Sequence, residues 1–146
     1  MMPTVRNNSR VMIDDPVRVA ALWTRLVPWM PDAWMTPEVR RARWSACGLN
    51  ERLRMYRYDP GEAFAMHRDG SFVRDEDERS MLTVLIYLND GFEGGNTNIM
   101  DHGQVHQIVP RQGMALVFTH ELPHEGAALI EGRKYVLRTD VMYRRQ

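Results

Sequence analysis

The chain has 146 residues, 44% hydrophobic and 26% charged, with 19 basic and 19 acidic side chains and a formal net charge of zero. That composition suits a globular domain with a real core and excludes a global electrostatic case for nucleic acid or a membrane surface. Cys47 is the only cysteine, which excludes an intrachain disulfide and favours a reducing compartment.

Met1 to Asn8 contain no apolar stretch of the signal-peptide kind, and no apolar run approaches membrane-spanning length. A cytoplasmic protein with no membrane partner and no nucleic-acid partner is therefore expected. The short basic runs Arg40-Arg41-Ala42-Arg43 and Arg144-Arg145 read as solvated faces. There is no internal repeat, and residues 1–146 read as a single domain.

Asp14-Asp15-Pro16 opens the first element, an N-cap aspartate followed by proline at the first helical position. Val19, Leu22, Trp23, Leu26 and Val27 recur at helical spacing, and Pro28 and Pro31 end the helix. It reads as a helix laid on a sheet. Trp29, Trp34 and Trp44 form an aromatic supply near Pro31 and Pro37, and Gly48-Leu49-Asn50 reads as a turn.

Leu53 to Tyr58 alternates and is aromatic-rich, which predicts a strand. Asp59-Pro60-Gly61 turns it, since proline presets φ and glycine accepts a positive φ. Phe64 to Asp69 is the next extended piece, and Ser71 to Glu78 is charged and reads as a mobile surface loop. Thr83 to Leu88 is a short apolar run with β-branched members, a buried strand. Further strands are predicted at about 96–100, 104–109 and 114–118, and the last at Lys134 to Tyr143. Short, regularly spaced strands with glycine turns after one or two helices indicate a mainly β (α+β) fold, a jelly roll with its N-terminal helix packed on one sheet.

The chemistry starts at His67 and Asp69, two residues apart in an extended segment, so both side chains leave one face. An imidazole and a carboxylate side by side are two thirds of a facial 2-His-1-carboxylate set, which suits non-haem Fe(II). Spacing alone leaves the third ligand open among His102, His106, His120 and His124. Pro123 and Gly126 flank His124 and suit a ligand held at a strand start. Lys134, Val136, Arg138 and Asp140 share one face of the last strand. Two cations on a core-facing side need partners, such as the carboxylate of a bound acid.

The ordered pattern is His67-x-Asp69, Thr83-Val84-Leu85-Ile86-Tyr87-Leu88-Asn89, Phe92-x-Gly94-Gly95-x-Thr97, Val109-Pro110-x-x-Gly113-x-Ala115-Leu116-x-Phe118, His124-Glu125-Gly126 and Gly132-x-Lys134-Tyr135. It resembles the Fe(II)- and 2-oxoglutarate-dependent dioxygenases, and within them the prolyl 4-hydroxylase type, over a catalytic core at about 53–143. The resemblance implies a double-stranded β-helix and His67, Asp69 and His124 as catalytic iron ligands. It implies Fe(II), 2-oxoglutarate and O2 as cofactor, cosubstrate and oxidant, with ascorbate as an auxiliary reductant. Lys134 matches the basic residue for the distal carboxylate of 2-oxoglutarate, with Arg138 as the rival. Tyr87 and Tyr58 stand where the family places tyrosines near the cosubstrate, and Thr83 shares the face of Tyr87.

The activity implied is hydroxylation of a prolyl residue in a protein or peptide, coupled to decarboxylation of the 2-oxo acid to succinate. Asp69 stands where halogenating relatives have a small residue, so hydroxylation is favoured. Phe64 stands where a tyrosine is frequent and Asn96 where a glutamate is frequent. The chain lacks the extra regions of the collagen hydroxylases, so collagen is not the expected substrate. Two other readings are a hydroxylase of a free amino acid or small molecule, anchored by Arg138 or Arg79, and a silent metal-binding jelly roll that acts as a sensor or interaction module. The Trp29/Trp34/Trp44 region and residues 71–79 are expected to meet the substrate.

Overall fold

The computed structural model describes residues 6–31, 33–34 and 43–146. Among them, in chain order, are β1 (Ser9–Asp14), α1 (Pro16–Leu26), a 3-10 turn (Val27–Trp29), β2 (Ala33–Trp34), β3 (Trp44–Leu49), β4 (Arg52–Tyr58), β5 (Phe64–His67), β6 (Val73–Asp75) and β7 (Glu78–Tyr87). Then follow β8 (Glu93–Gly94), β9 (Thr97–Asp101), β10 (Gln104–Ile108), β11 (Ala115–Thr119), β12 (His124–Gly126), β13 (Leu129–Glu131) and β14 (Lys134–Arg145). The expected mainly β jelly roll with a helix on one sheet is what forms. No helix among the described residues is long and apolar enough to cross a membrane.

The major sheet is built around β14, which pairs antiparallel with β4 and β7 along its first half and with β7 and β3 along its second. β1 extends the sheet beyond β4, β2 beyond β3, and β6 and β11 pair with β7. The smaller sheet runs β10-β9-β12-β5. Side-chain alternation divides the major sheet into two unlike faces. Leu53, Leu82, Val84, Leu137, Val141 and Tyr143 face outward and pack with Trp44 and with Val19, Leu22, Trp23 and Leu26 of α1. Tyr56, Tyr58, Tyr87 and Val136 belong to a second apolar cluster on the inner side.

α1 begins as its sequence dictates. The Asp15 side chain accepts from the Arg18 backbone N–H at 2.9 Å, and Pro16 occupies the first turn, where a missing N–H costs nothing. At the other end Pro28 falls in the 3-10 turn that closes the helix.

Two sequence expectations change here, and one strand, β1, appears where none was expected. Gly48-Leu49-Asn50 is not simply a turn, because residues through Leu49 form β3, held by its pairing with β14. Ser45, Cys47 and Gly48 break the apolar alternation that would have announced the strand. Residues 71–78 are not a free loop, since Val73 pairs with Arg79 and Arg74, Asp77 and Glu78 have ion-pair partners. Arg74 reaches Glu51 at 2.6 Å and Glu78 at 2.8 Å, and Arg144 reaches Glu78 at 2.5 Å. β1 carried no signal because all six of its residues are exposed, so no buried face imposes an alternation. Pro37, Arg40 and Arg41 lie outside the described residues.

Candidate active site

The antiparallel register of β12 against β5 sets His124 directly opposite His67. Directly paired residues bring their Cβ atoms within about 5 Å, and the two rings lie with centroids 4.2 Å apart. Asp69 follows just past the end of β5, where its backbone N–H donates to the His120 carbonyl at 3.0 Å. Its carboxylate turns back between the two rings. Oδ1 is 3.4 Å from His67 Nε2 and Oδ2 is 3.4 Å from His124 Nε2. The ligand-type atoms of the three residues all lie within 4.8 Å of one another.

The donor set fits a divalent metal. His67 Nδ1 lies 2.7 Å from the Ala65 carbonyl and His124 Nδ1 lies 3.0 Å from the Leu122 carbonyl. A carbonyl only accepts, so each Nδ1 carries a proton, and each Nε2 is the ring nitrogen left facing Asp69 as the metal-ligating atom. Burial pushes the His124 pKa down, against the opposing pull of Asp69, which favours the neutral ring a metal needs. Burial would raise the Asp69 pKa. The contact with His67, the charge of Arg138 and the Thr83 hydrogen bond together outweigh it, and the carboxyl sits well below its usual range. Nitrogen and oxygen donors without thiolate, on one side of a cleft, match a facial site for non-haem Fe(II).

The cleft beside this set is lined by Tyr56, Tyr58, Phe64, Leu85, Thr97, Glu125, Gly126, Lys134, Val136 and Arg138. Lys134 is 2% exposed. Its Nζ donates to the Gly95 carbonyl at 2.7 Å and sits 4.6 Å from the centre of the Tyr58 ring. No carboxylate among the described residues pairs with it, and burial pulls its pKa down to about 8. Gly95 has φ +71, and a Cβ there would meet Lys134 Cδ at 3.2 Å. The second glycine of the Gly94-Gly95 pair therefore makes room for the lysine stem.

Arg138 also faces the cleft but is engaged. Nη1 is 3.4 Å from Asp69 Oδ1, and Nη2 donates to Asp140 Oδ1 at 3.2 Å. Tyr87 and Thr83 stand one layer behind the lining. The Tyr87 hydroxyl bonds Thr97 at 2.6 Å, and burial raises its pKa to about 12. Thr83, grouped by sequence with the cosubstrate residues, donates to Asp69 Oδ2 at 2.7 Å instead. Among the alternative histidines, His102 sits in the β9–β10 turn and His106 is exposed on β10. His120 is buried with its ring on Ser80 and Thr83.

Two of the three tryptophans expected near substrate lie away from this cleft. Trp44 is fully buried in the outer core, where the Arg79 guanidinium lies 4.7 Å from its ring centre. Trp29 lines a separate groove with Leu22, Leu26 and Ile86, between α1 and the outer face of the sheet. The side chain of Trp34 lies outside the described residues. Phe64, in place of the expected tyrosine, stacks on His67 at 3.8 Å and buttresses the ring through its face. Two contributors were missed from sequence. Tyr56 shares the face of Tyr58 two residues on and was findable by period. Ser80, which bonds His120, carried no signal.

A family model described as the 2OG-Fe(II) oxygenase superfamily matches residues 53–139, more than half of the chain. No curated protein sequence matches it. Among solved structures, the chain is similar to a prolyl-4-hydroxylase from Pseudomonas putida at 22% identity and TM-score 0.68, covering 98% of this chain and 74% of that one. A prolyl hydroxylase from Trichoplax adhaerens, in complex with a hypoxia inducible factor peptide, matches at 18% identity and TM-score 0.68, covering 94% and 63%. The viral collagen prolyl hydroxylase of Paramecium Bursaria Chlorella virus-1, in complex with 2OG, matches at 16% identity and TM-score 0.61, covering 98% and 82%. At these identities the structural likeness establishes the fold, and the family model carries the chemistry, whose cofactor is Fe(II), cosubstrate 2-oxoglutarate and oxidant O2. The chain belongs to the 2OG-Fe(II) oxygenase superfamily and is a 2-oxoglutarate-dependent dioxygenase.

Proposed function

We propose that the chain hydroxylates prolyl residues of a protein or peptide, with His67, Asp69 and His124 as the iron ligands and Lys134 as the anchor for the distal carboxylate of 2-oxoglutarate. One observation carries this reading. A buried lysine with no carboxylate partner among the described residues faces the His-Asp-His set across a single cleft. A buried charge calls for a counter-charge, and a dicarboxylic 2-oxo acid would supply one at Lys134, with His67, Asp69 and His124 lining the same cleft. Fe(II) held by His67, Asp69 and His124 would supply the redox chemistry that couples the 2-oxo acid to O2. The residues supply the rest. Lys134 fixes the distal carboxylate, the two Nδ1–H···O=C bonds orient the imidazoles, and Tyr58, Leu85 and Val136 give the cleft apolar walls that limit water.

The peptide reading is supported by the names of three of the structural neighbours, which are prolyl hydroxylases, one of them holding a peptide. It is also favoured over a free amino acid by what surrounds the two arginines offered as anchors for an α-carboxylate. Arg138 is tied to Asp69 and Asp140, and Arg79 lies against Trp44 on the outer side.

The test is incubation with Fe(II), 2-oxoglutarate and O2 in the presence of proline-rich peptides or free amino acids. Succinate release and a mass gain of one oxygen on a peptide proline support the reading. Oxygen incorporation only into a free amino acid moves the substrate to the small-molecule class. Absence of both turnover and Fe(II) binding returns the chain to a silent jelly roll.

A further inference from the structure

Two of the three ligand-type residues are held by a strand ladder, and the third is not. His67 and His124 pair with each other across β5 and β12. Asp69 lies beyond the end of β5, in the segment that crosses to the major sheet. A carboxylate on a crossing segment needs other support to keep one orientation.

That support is a line of short hydrogen bonds behind the cleft. Thr83 Oγ1 donates to Asp69 Oδ2 at 2.7 Å. His120 Nδ1 is 2.7 Å from the same hydroxyl, and His120 Nε2 is 2.7 Å from Ser80 Oγ. The Phe72 backbone N–H donates to Ser80 Oγ at 2.8 Å. Chemistry fixes the direction of each bond. A carboxylate only accepts, so Thr83 gives its one proton to Asp69 and must accept from His120 Nδ1–H. A backbone N–H only donates, so Ser80 accepts from Phe72 and its own proton is free for His120 Nε2.

The line is shut off from water, with Thr83 at 0%, Ser80 at 1% and His120 at 5% exposure. Burial holds the His120 pKa down, against the nearby Asp140 charge, and keeps the ring in the neutral form that this order of bonds requires. The same residue also holds the Asp69 main chain, through its carbonyl. Beyond Asp69, Ser71 Oγ donates to the Ser80 carbonyl and the Ser80 N–H donates to the Phe72 carbonyl at 2.8 Å. Both sides of Asp69 are thereby anchored on Ser80 and His120.

We propose that His120 is a positioning residue of the metal site, which through Thr83 fixes the rotation of the Asp69 carboxylate and through Ser80 ties it to the Ser71–Phe72 segment. This rests on the reading of His67, Asp69 and His124 as the iron ligands. The His120 ring does not line the cleft, and its effect on the Asp69 carboxylate passes through the Thr83 hydroxyl.

The test measures Mn(II), in place of Fe(II), by electron paramagnetic resonance on the full chain, with the melting curve of each metal-free variant as the folding control. Thr83→Val is expected to weaken Mn(II) binding about 10-fold, the lower end for loss of a bond that orients a ligand, while Thr83→Ser binds as the wild type does. His120→Leu is expected to weaken it similarly. His120→Asn, which keeps an amide donor for Thr83, recovers most of the loss. The double variant Thr83→Val/His120→Leu binds no more weakly than Thr83→Val alone. Wild-type affinity in Thr83→Val, equal losses in His120→Leu and His120→Asn, or additive losses in the double variant would each overturn the proposal. If His120→Leu does not fold, the Thr83→Val and Thr83→Ser pair decides. A wild-type chain that binds no Mn(II) overturns the metal-site reading and this inference together, whereas a wild type that binds and a Thr83→Val that matches it overturns the inference alone.

Discussion

His124 stands opposite His67 in the pairing of β12 with β5, with ring centroids 4.2 Å apart, although 57 positions of sequence separate them. Because each ring is also fixed by its own Nδ1 bond to a carbonyl, the two Nε2 atoms are preorganised before any metal arrives. His124→Ala is accordingly expected to abolish Mn(II) or Fe(II) binding, in contrast with a partial loss on changing His120. Metal titration of the two variants checks this, and retained full occupancy in His124→Ala would remove His124 from the ligand set.

Lys134→Met is expected to weaken 2-oxoglutarate binding about 10- to 100-fold, the range for losing one or two charge-assisted bonds, while leaving metal affinity intact. The free lysine titrates near pH 8 because burial penalises its charge. The charged form predominates below that pH and is the form that holds a carboxylate. Affinity for 2-oxoglutarate should therefore be flat on the acid side and fall by one proton's slope as pH rises above about 8. A binding isotherm taken across that interval tests the sign. No fall, or a rise, would show that Lys134 is not the anchor.

Arg138→Ala should behave differently. Its guanidinium bridges Asp69 and Asp140, and Asp140 is 1% exposed. Removing it leaves that carboxylate with Arg54 at 3.6 Å and Asn50 at 3.3 Å. A loss of about 3 kcal/mol in unfolding free energy is expected, at the lower end for breaking a buried pair, together with weaker metal binding. Affinity for 2-oxoglutarate at saturating metal should be retained. If that affinity is lost in Arg138→Ala and kept in Lys134→Met, the two roles are exchanged.

Gly95→Ala tests the neighbourhood of the lysine. With φ at +71 and the new Cβ 3.1 Å from the Phe92 ring and 3.2 Å from Lys134 Cδ, the substitution is strained in backbone and side chain alike. A stability loss of about 1–2 kcal/mol is expected from the left-handed backbone alone. Weaker 2-oxoglutarate binding should accompany it as the lysine stem is displaced. Denaturant melts and a 2-oxoglutarate titration measure the two effects separately.

Leu53→Ala addresses the outer core. Leu53 is fully buried among Trp44, Leu82 and Val84, and truncation should cost about 2–5 kcal/mol through lost burial and a residual cavity. The inner face is untouched, so Mn(II) affinity of the folded protein should not change.

Much of this was legible in the residues. Asp15-Pro16 marked the helix start because capping is a local interaction, and the apolar run from Thr83 marked a buried strand because both faces of β7 are covered through Tyr87, with Leu88 exposed past its end. The strands that stayed hidden lacked such local marks. β1 has no buried face, β3 is interrupted by small and polar residues, and the charges of residues 71–78 looked solvated because their partners Glu51 and Arg144 are far along the chain. In the site, residue types and the His-x-Asp spacing pointed to iron chemistry from sequence alone.

Sequence by itself determined the kinds of groups this protein carries and which of them share a strand face, since the period of a strand is built into the chain. It also determined the family, through the order of its motifs. The tertiary structure alone decided which histidine meets His67, whether Lys134 has a carboxylate partner among the described residues and which hydroxyl supports Asp69. Those choices depend on strand register and on hydrogen-bond directions between residues distant in the chain. A register shift of one residue would turn His124 away and present Glu125 in its place.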